Sequence, residues 1–350
     1  MSESLIHARG LTRTFRRTLK EGGLRGALRQ LFHPTYQEVV AVQAVDFDID
    51  RGEAVGYVGA NGAGKSTTIK LLSGILVPTS GELRVAGMVP WRQRVEYVRR
   101  IGVVFGQRTQ LWPDLSVMDS YTVLKEIYGI PDTAFRRALA SYTEVLDLER
   151  LLPVQVRKLS LGQRMRVDLA AAFLHRPEIV FLDEPTIGLD FDVKEKFRQF
   201  VRKMVDEEQV TVLLATHDLR DIEDICRRLI IIHEGRVICD QSLQWVKEQY
   251  ARERMIVFSL GRSSPEEAAR EIATPEIGVE VAGPHEVVAR FDRFLVNPAR
   301  VVADVVTRLD VEDIAIREPR IEDVVKEVYR QSSGDGAQAA VAPRVSSGSP

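Results

Sequence analysis

Long hydrophobic runs and cysteines are both scarce in this sequence of 350 residues. The longest uninterrupted apolar run covers residues 169–174, whereas a membrane-spanning helix needs about 20 apolar residues, so we expect no transmembrane segment. The first residues also lack the basic and then apolar layout of a secretory signal. The only cysteines are Cys226 and Cys239, which excludes a disulfide framework and favours a reducing compartment.

An excess of charge of one sign is absent as well. The 48 basic residues nearly balance the 50 acidic ones, and the formal net charge is −2 at pH 7. This balance argues against a protein whose main task is to coat nucleic acid. Hydrophobic residues make up 45% of the chain, which is sufficient for at least one full core, and the length favours two domains.

Short apolar stretches alternate with helical patterns over most of the chain up to residue 238, which favours a layered α/β core. Strands are predicted at residues 45–50, 54–58, 102–105, 179–182, 210–215 and 229–233. A helix-rich segment is predicted at residues 115–153, between the third and fourth of these strands.

Residues 255–331 follow a different order, which predicts a small split-βαβ domain with one further helix. The predicted strands are 255–260, 278–282, 287–291 and 314–317, and the predicted helices are 265–273, 298–309 and 321–330. Residues 332–350 are rich in Ser, Gly, Ala and Pro, and this composition predicts a disordered tail.

The strongest motif for chemistry is a glycine-rich run that ends in Lys65 and Ser66. The run reads Gly59-Ala60-Asn61-Gly62-Ala63-Gly64-Lys65-Ser66 and fits the phosphate-loop pattern GxxxxGK[ST]. A predicted strand precedes it and a predicted helix follows, so backbone N–H groups and the helix N-terminus can surround phosphate oxygens. We expect Lys65 to reach the β- and γ-phosphates and Ser66 to bind Mg²⁺. A glycine-rich turn without a ligand is the alternative.

Two carboxylates, Asp183 and Glu184, follow the apolar strand predicted at residues 179–182. We expect Asp183 to hold Mg²⁺, directly or through water, and Glu184 to polarise the attacking water as a general base. An apolar strand that ends in Asp-Glu is common by itself, but a phosphate loop upstream makes the pair a specific indication.

A third motif, Leu159-Ser160-Leu161-Gly162-Gln163, lies between the other two and precedes a helical pattern. Together with the phosphate loop, the Asp183-Glu184 pair and His217, it resembles the nucleotide-binding subunit of ATP-binding cassette (ABC) transporters over residues 5–240. The family signature reads LSGGQ, so Leu161 departs from it whereas Ser160 and Gly162 are retained. The phrases DEPTIGLD and EPRIEDVV look like bacterial exporters of the drug, lipid and polysaccharide type.

The resemblance implies a fold class and a domain organisation. It implies an α/β P-loop NTPase cassette over residues 1–245, with a RecA-like core, an antiparallel β subdomain and a helical subdomain at about 115–175. An insertion at residues 16–38 is unusual for the family. The small C-terminal α+β domain of split-βαβ type covers residues 246–331, and the tail covers 332–350.

The resemblance also implies roles for individual residues. In the phosphate loop and the helix after it, the residues expected to bind nucleotide are Gly59, Asn61, Gly62, Gly64, Lys65, Ser66 and Thr67. Ser160, Gly162 and Gln163 are expected to face the ATP of a partner cassette, although an ordinary helix N-cap is the alternative for Ser160.

Four further residues match positions of the family outside these motifs. Gln107 is expected to contact Mg²⁺ and the attacking water, and His217 to bond the γ-phosphate. Asp190 falls in the segment that links the two active sites across the dimer. Phe15 stands where the family stacks an aromatic ring on adenine, and simple packing is its alternative.

These features together predict an ATPase that uses ATP and Mg²⁺ and dimerises, as a homodimer, to drive export through a separate integral membrane permease. Such a subunit is peripheral to the cytoplasmic face of the membrane, through the permease, and binds no nucleic acid. A cassette that acts as a regulator or an assembly factor outside transport is the alternative. The insertion is basic with one apolar helical face, so it could contact the permease or anionic lipid, or simply cover the cassette.

Overall fold

The structure, a computed structural model, describes residues 4–18, 36–106, 108–250, 253–317 and 321–334. The central part of the insertion with its predicted helical face, Gln107 and most of the predicted tail lie outside the described residues. The chain divides between Gln241 and Ser242 into two compact units. No helix in the described ranges is long and apolar enough to span a membrane.

The first unit contains two sheets and the helices around them. Its strands are β1 (Ser4–Thr18), β2 (Tyr36–Asp50), β3 (Ala54–Gly59), β4 (Ser80–Val85), β5 (Ile101–Phe105), β6 (Ile179–Asp183), β7 (Thr211–Ala215), β8 (Arg228–His233) and β9 (Arg236–Ser242). Its helices are α1 (Lys65–Leu72), α2 (Arg94–Val98), α3 (Val117–Tyr128), α4 (Asp132–Leu146), α5 (Leu161–Phe173), α6 (Phe191–Asp206) and α7 (Leu219–Ile225), and a 3-10 turn covers Val156–Lys158.

A six-stranded sheet in the order β5-β6-β7-β3-β8-β9 forms the core of this unit. The five strands from β5 to β8 in this order pair in parallel. Strands β3, β6 and β7 are buried along their whole length. Such burial is typical of a parallel sheet that is covered on both faces, and it agrees with the apolar runs in their sequences. The predicted strands of this sheet are confirmed to within one residue at each end.

The antiparallel sheet has the order β2-β1-β4 and extends further than predicted. Strands β1 and β2 pair from Ser4 and Asp50 as far as Thr18 and Tyr36. The sequence predicted only residues 45–50 of β2 as a strand. Val39 and Val40 are β-branched residues that favour a strand, but both are exposed, so no burial pattern marks them as one. Both flanks of the predicted insertion, residues 16–18 and 36–38, therefore belong to a long hairpin.

Helices α3 and α4 form the helix-rich segment predicted at residues 115–153, and α5 follows it before β6. The rings of Tyr142 on α4 and Phe173 on α5 meet Phe200 on α6 edge-on, at centroid distances of 5.1 and 5.2 Å. This aromatic cluster joins the helical segment to the helix that follows Glu184 in the chain.

The second unit is an antiparallel sheet with helices. Its elements are α8 (Leu243–Tyr250), β10 (Glu253–Leu260), α9 (Pro265–Ile272), β11 (Ile277–Gly283), β12 (Glu286–Asp292), α10 (Pro298–Arg308), β13 (Val311–Arg317) and α11 (Ile321–Gly334). The strand order is β11-β12-β10-β13 with every pair antiparallel, which is the arrangement of a split-βαβ unit. Apolar residues of α9 and α10 pack against alternate residues of β10 and β12 in one cluster.

The last helix is longer than the sequence predicted. α11 ends at Gly334, whereas a helix to residue 330 and disorder from residue 332 were expected, so residues 332–334 correct that boundary. Within the helix, Gln331 bonds the carboxylate of Glu327, and the Ser332 hydroxyl bonds the Tyr329 carbonyl at 2.9 Å. These local bonds continue the helix one turn beyond its apolar stripe, where no hydrophobic pattern remains to mark it.

Candidate active site

The predicted phosphate loop and the predicted carboxylates meet at one edge of the six-stranded sheet. Because β6, β7 and β3 are parallel neighbours, the segments that follow them leave the sheet at the same edge. The loop follows β3, Asp183 ends β6 with Glu184 after it, and His217 lies two residues beyond the end of β7. Tertiary structure thus joins three segments that lie far apart in the sequence.

The phosphate loop is a glycine-shaped turn onto the N-terminus of α1. Gly64 has φ 112°, and a Cβ there would lie 2.4 Å from the Ala41 carbonyl oxygen on β2, so only glycine fits. Gly62 also has a positive φ, and Asn61 and Gly62 are exposed. No side chain caps the N-terminus of α1, which leaves the amides of its first turn, including those of Ser66 and Thr67, without a side-chain partner.

Lys65 is buried against the loop it follows, with a side chain that is 6% exposed. Its ammonium donates to the carbonyls of Gly59 at 2.7 Å and Ala60 at 3.3 Å. The same nitrogen lies 3.7 Å from a carboxylate oxygen of Glu184. A buried cation is therefore fixed between the loop and the predicted general base.

Ser66 and Asp183 form a hydroxyl–carboxylate pair. Ser66 Oγ donates to Asp183 Oδ1 at 2.9 Å across a separation of 117 residues. Burial raises the pKa of Asp183, and the Ser66 hydrogen bond opposes that shift. These two side chains are the ones that the sequence predicted as Mg²⁺ ligands, and the structure places them side by side.

Glu184 is held in an unusual backbone conformation beside His217. Its φ is +50°, which is unfavourable for a residue with a side chain, and its N–H donates to the Ala215 carbonyl at 2.7 Å. Its carboxylate lies 2.6 Å from His217 Nδ1 and also accepts the His217 N–H at 3.4 Å. The predicted base and the predicted γ-phosphate ligand are thus direct neighbours.

A cavity of about 370 Å³ opens beside these groups. It is lined by Ser66, Lys70, Ile75, Phe105, Gly106, Arg108, Asp183, Glu184 and Ile187. A Cβ at Gly106 would lie 2.0 Å from the Glu184 carbonyl oxygen, so the residue directly after β5 contacts Glu184. Gln107 falls between Gly106 and Arg108 in sequence but outside the described residues, and its role stays a prediction.

The signature motif forms a capped helix start. Ser160 Oγ accepts the Gln163 N–H at 3.3 Å, and the Ser160 N–H donates to Gln163 Oε1 at 3.0 Å, which is a capping box at the start of α5. The N-cap reading of Ser160 is therefore confirmed, and a role in binding a partner's ATP stays a prediction. A Cβ at Gly162 would lie 3.3 Å from Val193 on α6, and Leu161 is 45% exposed.

Asp190 and Phe15 have local partners. Asp190 is the N-cap of α6, and its side chain accepts the Val193 N–H at 2.9 Å. Phe15 lies opposite Val39 in the hairpin of β1 and β2, and the Arg13 guanidinium lies 4.7 Å from the centre of its ring. A cation–π contact occupies a face of this ring, and adenine stacking by Phe15 stays a prediction.

Two buried polar networks were not found from the sequence. Arg198 on α6 and Asp221 on α7 form a fully buried ion pair at 2.9 Å, and Asp221 also accepts the Thr186 hydroxyl two residues after Glu184. Asp168 on α5 is buried and accepts the Thr109 hydroxyl at 2.7 Å. The only signal for Asp168 was an acidic residue directly before the longest apolar run of the sequence.

The donor set fits a nucleotide with Mg²⁺. Serine and aspartate oxygens are hard ligands of the kind that Mg²⁺ prefers, and Mg²⁺ commonly takes only one or two protein side chains and the phosphates of its substrate. In the described parts of the chain no cluster of three or more His, Cys, Asp or Glu side chains forms a metal site. Gly64, where a Cβ would clash with the Ala41 carbonyl oxygen, lets the loop turn directly onto the start of α1, whose N-terminus suits phosphate.

Comparison with known proteins agrees with this geometry. Residues 42–187 match the family described as ABC transporter. The chain is 31% identical over 217 residues to the ABC transporter ATP-binding protein NatA of Bacillus subtilis, covering 62% of this chain and 88% of that protein. It is 32% identical over 214 residues to the bacitracin transport ATP-binding protein BcrA of Bacillus licheniformis, covering 61% and 69%.

A solved structure shares the fold of the cassette. It is a dimeric ATP-binding cassette in a post-hydrolysis state bound to ADP and Pi, and it superposes with a TM-score of 0.57 at 26% identity. The match covers 68% of this chain and 98% of that one. The chain therefore belongs to the ABC transporter family, as an ATP-binding subunit of the export type that hydrolyses ATP.

Proposed function

We propose that two copies of this chain bind two ATP molecules with Mg²⁺ between them and hydrolyse them to drive export through a separate membrane permease. The observation that carries the proposal is the convergence of Lys65, Ser66, Asp183, Glu184 and His217 at one sheet edge. Transfer of a phosphoryl group to water needs such groups. Lys65 would contact the phosphates, and Ser66 and Asp183 would hold Mg²⁺. Glu184 would act as the base, and His217 would supply a further polar contact.

Binding of the phosphates is assigned to the loop and the start of α1. The turn at Gly59, Asn61, Gly62 and Gly64 directs backbone amides at the phosphate chain, and the uncapped helix adds the amides of Ser66 and Thr67. Lys65 already places its ammonium against two loop carbonyls. Phosphate oxygens are better acceptors for this charge than neutral carbonyls, so the lysine is available to the β- and γ-phosphates.

Ser66 and Asp183 are the side chains that would hold Mg²⁺, with Gln107 as a third ligand expected from the family. Their oxygens are 2.9 Å apart, and bound Mg²⁺ would supply charge neutralisation for the phosphates. Burial raises the pKa of Asp183, and the second carboxylate at Glu184 contributes to that shift. A divalent cation offsets both effects, which gives this buried carboxylate a functional reason to be there.

Activation of water is assigned to Glu184. Its carboxylate borders the cavity and is held by the His217 ring at 2.6 Å. In this arrangement Glu184 accepts a proton from water. His217 orients the Glu184 carboxylate and lies close enough to bond the γ-phosphate in the same site. In-line displacement needs no covalent intermediate on the protein, so positioning and electrostatic stabilisation account for the catalysis.

The second copy is needed for the signature residues. The side chains of Ser160 and Gln163 form the two reciprocal bonds of their capping box, and Ser160 and Leu161 are exposed. An exposed helix N-terminus presents amides and a positive dipole end, which suits the γ-phosphate of a nucleotide on another chain. The dimer of a related cassette with ADP and Pi supports this assignment, and Asp190 would border the same interface.

The export role is supported by the relatives. BcrA is named for bacitracin transport, and a further relative of 35% identity is named for Nod factor export. We infer that this chain likewise works at the cytoplasmic face of a membrane, bound to integral permease subunits, and that nucleic acid is not a partner.

The test is to purify the tagged chain from detergent-solubilised membranes of its own host. We expect a polytopic membrane protein to co-purify, and we expect Mg²⁺-dependent ATP hydrolysis that EDTA abolishes. Loss of transport in the Glu184→Gln variant would connect the two activities. If the chain instead shows full function in a membrane-free extract, with no permease bound, it is a regulator or an assembly factor.

A further inference from the structure

We propose that Asp168 is a positioning residue that joins the start of the signature helix α5 to the catalytic turn Asp183-Glu184, through the segment that follows β5. The inference rests on the proposed function, because it assigns Ser160 at the start of α5 to the ATP of a partner chain. Under this inference, nucleotide contact at the start of α5 affects the placement of Glu184 in the same chain.

The contacts of Asp168 define one end of the connection. Asp168 lies on α5 and is 4% exposed. Its Oδ1 accepts the Thr109 hydroxyl at 2.7 Å and the Gln110 N–H at 3.2 Å, while the Gln110 side-chain amide donates to the Asp168 carbonyl at 3.0 Å. The Leu111 N–H bonds the Thr109 hydroxyl at 3.1 Å. Residues 109–111 therefore surround a single buried residue of the signature helix.

The other end of the connection is the catalytic turn. Phe105 pairs with Asp183 in the sheet, and the Gly106 N–H donates to the Asp183 carbonyl at 2.9 Å. The close approach of Gly106 to the Glu184 carbonyl, where a Cβ would lie at 2.0 Å, leaves no free space at this contact. A displacement of the segment after β5 is thus passed directly to Asp183 and Glu184.

The chain between the two ends is short. Only residues 107 and 108 separate Gly106 from Thr109, and the three steps along the chain span at most about 11 Å even when fully extended. The Arg108 N–H also donates to the Phe105 carbonyl at 2.9 Å, which ties the segment back to its own strand. Movement of α5 relative to β6 therefore acts on the Asp168 bonds at one end of this short segment and on the Gly106 contact at the other.

Stability alone does not explain an acidic residue at this place. Its neighbours on α5, among them Val167, Leu169 and Ala170, are buried and apolar, and burial raises the pKa of Asp168 to about 6. An apolar side chain would avoid that cost but would lose both bonds to the segment after β5. An ionised carboxylate instead makes strong and directional bonds to Thr109 and Gln110.

The decisive variants are at Thr109, because they leave the buried helix intact. Thr109→Val removes the hydroxyl at constant shape, and Thr109→Ser retains it. We expect Thr109→Val to lower kcat roughly fivefold or more with little change in the KM for ATP, and Thr109→Ser to behave as the wild type. Thr122→Val is the matched control, because within the described part of the chain the Thr122 hydroxyl bonds only the Met118 carbonyl of its own helix.

Asp168→Asn and the double variant with Thr109→Val complete a double-mutant cycle. Both changes act on one connection, so we expect Thr109→Val with Asp168→Asn to be no slower than the slower single variant. Thermal unfolding of all variants separates coupling from simple destabilisation, since a structural defect would lower stability without the split between kcat and KM. Wild-type kcat in Thr109→Val, or additive losses in the double variant, would overturn the inference.

The failure of the inference is distinguishable from that of the proposed function. In a Glu184→Gln background, ATP-dependent dimerisation followed by size-exclusion chromatography reports nucleotide binding by both half-sites. We expect Thr109→Val to leave this dimer intact. If the wild type hydrolyses ATP and dimerises but Thr109→Val changes nothing, only the role of Asp168 is wrong. If Glu184→Gln does not dimerise with ATP at all, the proposed composite site is wrong, and the inference is overturned with it.

Discussion

The phosphate-loop region and the signature segment differ in how their polar groups are paired. Around the loop, Ser66 bonds Asp183 and Glu184 bonds His217 across 117 and 33 residues of sequence. In the signature, Ser160 and Gln163 bond each other across three residues. The groups around the loop are therefore brought together by the tertiary fold, whereas the signature is a local helix cap. Under the proposed function these are the two halves of one ATP site, and the cap faces the ATP of a second chain.

The largest effect should come from the fold-assembled half. Glu184→Gln removes the general base and should lower the ATP hydrolysis rate by about 10²–10⁴, measured as phosphate release with Mg²⁺. Glu178→Gln is the matched control. Glu178 directly precedes β6, the strand that Glu184 follows, and in the described contacts its carboxylate pairs only with surface arginines. Hydrolysis at the wild-type rate by Glu184→Gln would show that another group activates water.

Mixing variants tests whether the two halves work on different chains. Lys65→Met and Ser160→Arg should each lose about a hundredfold or more of the activity when purified alone, because each removes a phosphate contact. A mixture should recover activity, since a heterodimer contains one site with both groups intact. If the mixture is as inactive as its components, Lys65 and Ser160 of one chain serve the same ATP.

A pH-dependent difference should mark the connection between the halves. Burial raises the pKa of Asp168 to about 6 from an unfolded value of 3.8, so the folded state binds more protons between these pH values. Stability contributed by this group therefore falls as pH rises through that window, by roughly 3 kcal/mol in total. Arg164 on α5 and Tyr121 on α3 are the charged and titratable groups that face it.

Urea unfolding at several pH values measures this contribution. The wild type should lose stability relative to Asp168→Asn between about pH 4 and pH 6, because asparagine does not titrate. Parallel curves for the two proteins would mean that Asp168 stays ionised at an ordinary pKa.

The smallest effect concerns the helix cap. Ser160→Ala and Ser116→Ala each remove a serine whose hydroxyl accepts an N–H at the third helical position, so each should cost about 1 kcal/mol of stability. Only Ser160→Ala should also lower ATP hydrolysis. Equal activity of the two variants would reduce Ser160 to a cap.

Much of the site was predictable because its motifs are contiguous. The run that ends in Lys65 and Ser66 and the strand that ends in Asp183 are local patterns, and an apolar run before each indicates a buried parallel strand. The second unit was predictable for a similar reason, since its short strands and helices carry clear periodicity.

Other features depend on distant partners. Asp168 and Thr109 are 59 residues apart, and Arg198 and Asp221 are 23 apart, so no local pattern pairs them. The hairpin of β1 and β2 extends to Thr18 and Tyr36 through exposed residues, and its register depends on pairing and not on hydrophobicity. The end of α11 depends on side-chain bonds beyond its apolar stripe.

The sequence by itself determined the family, the ATPase chemistry and the candidate groups for it, because phosphate binding needs fixed residue types at fixed local spacing. Only the tertiary structure decided which of these groups touch one another, that Ser160 is already a cap, and that Asp168 on α5 bonds the segment after β5. The physical reason is that a buried polar group needs a partner, and packing brings that partner from a part of the chain that local spacing does not specify.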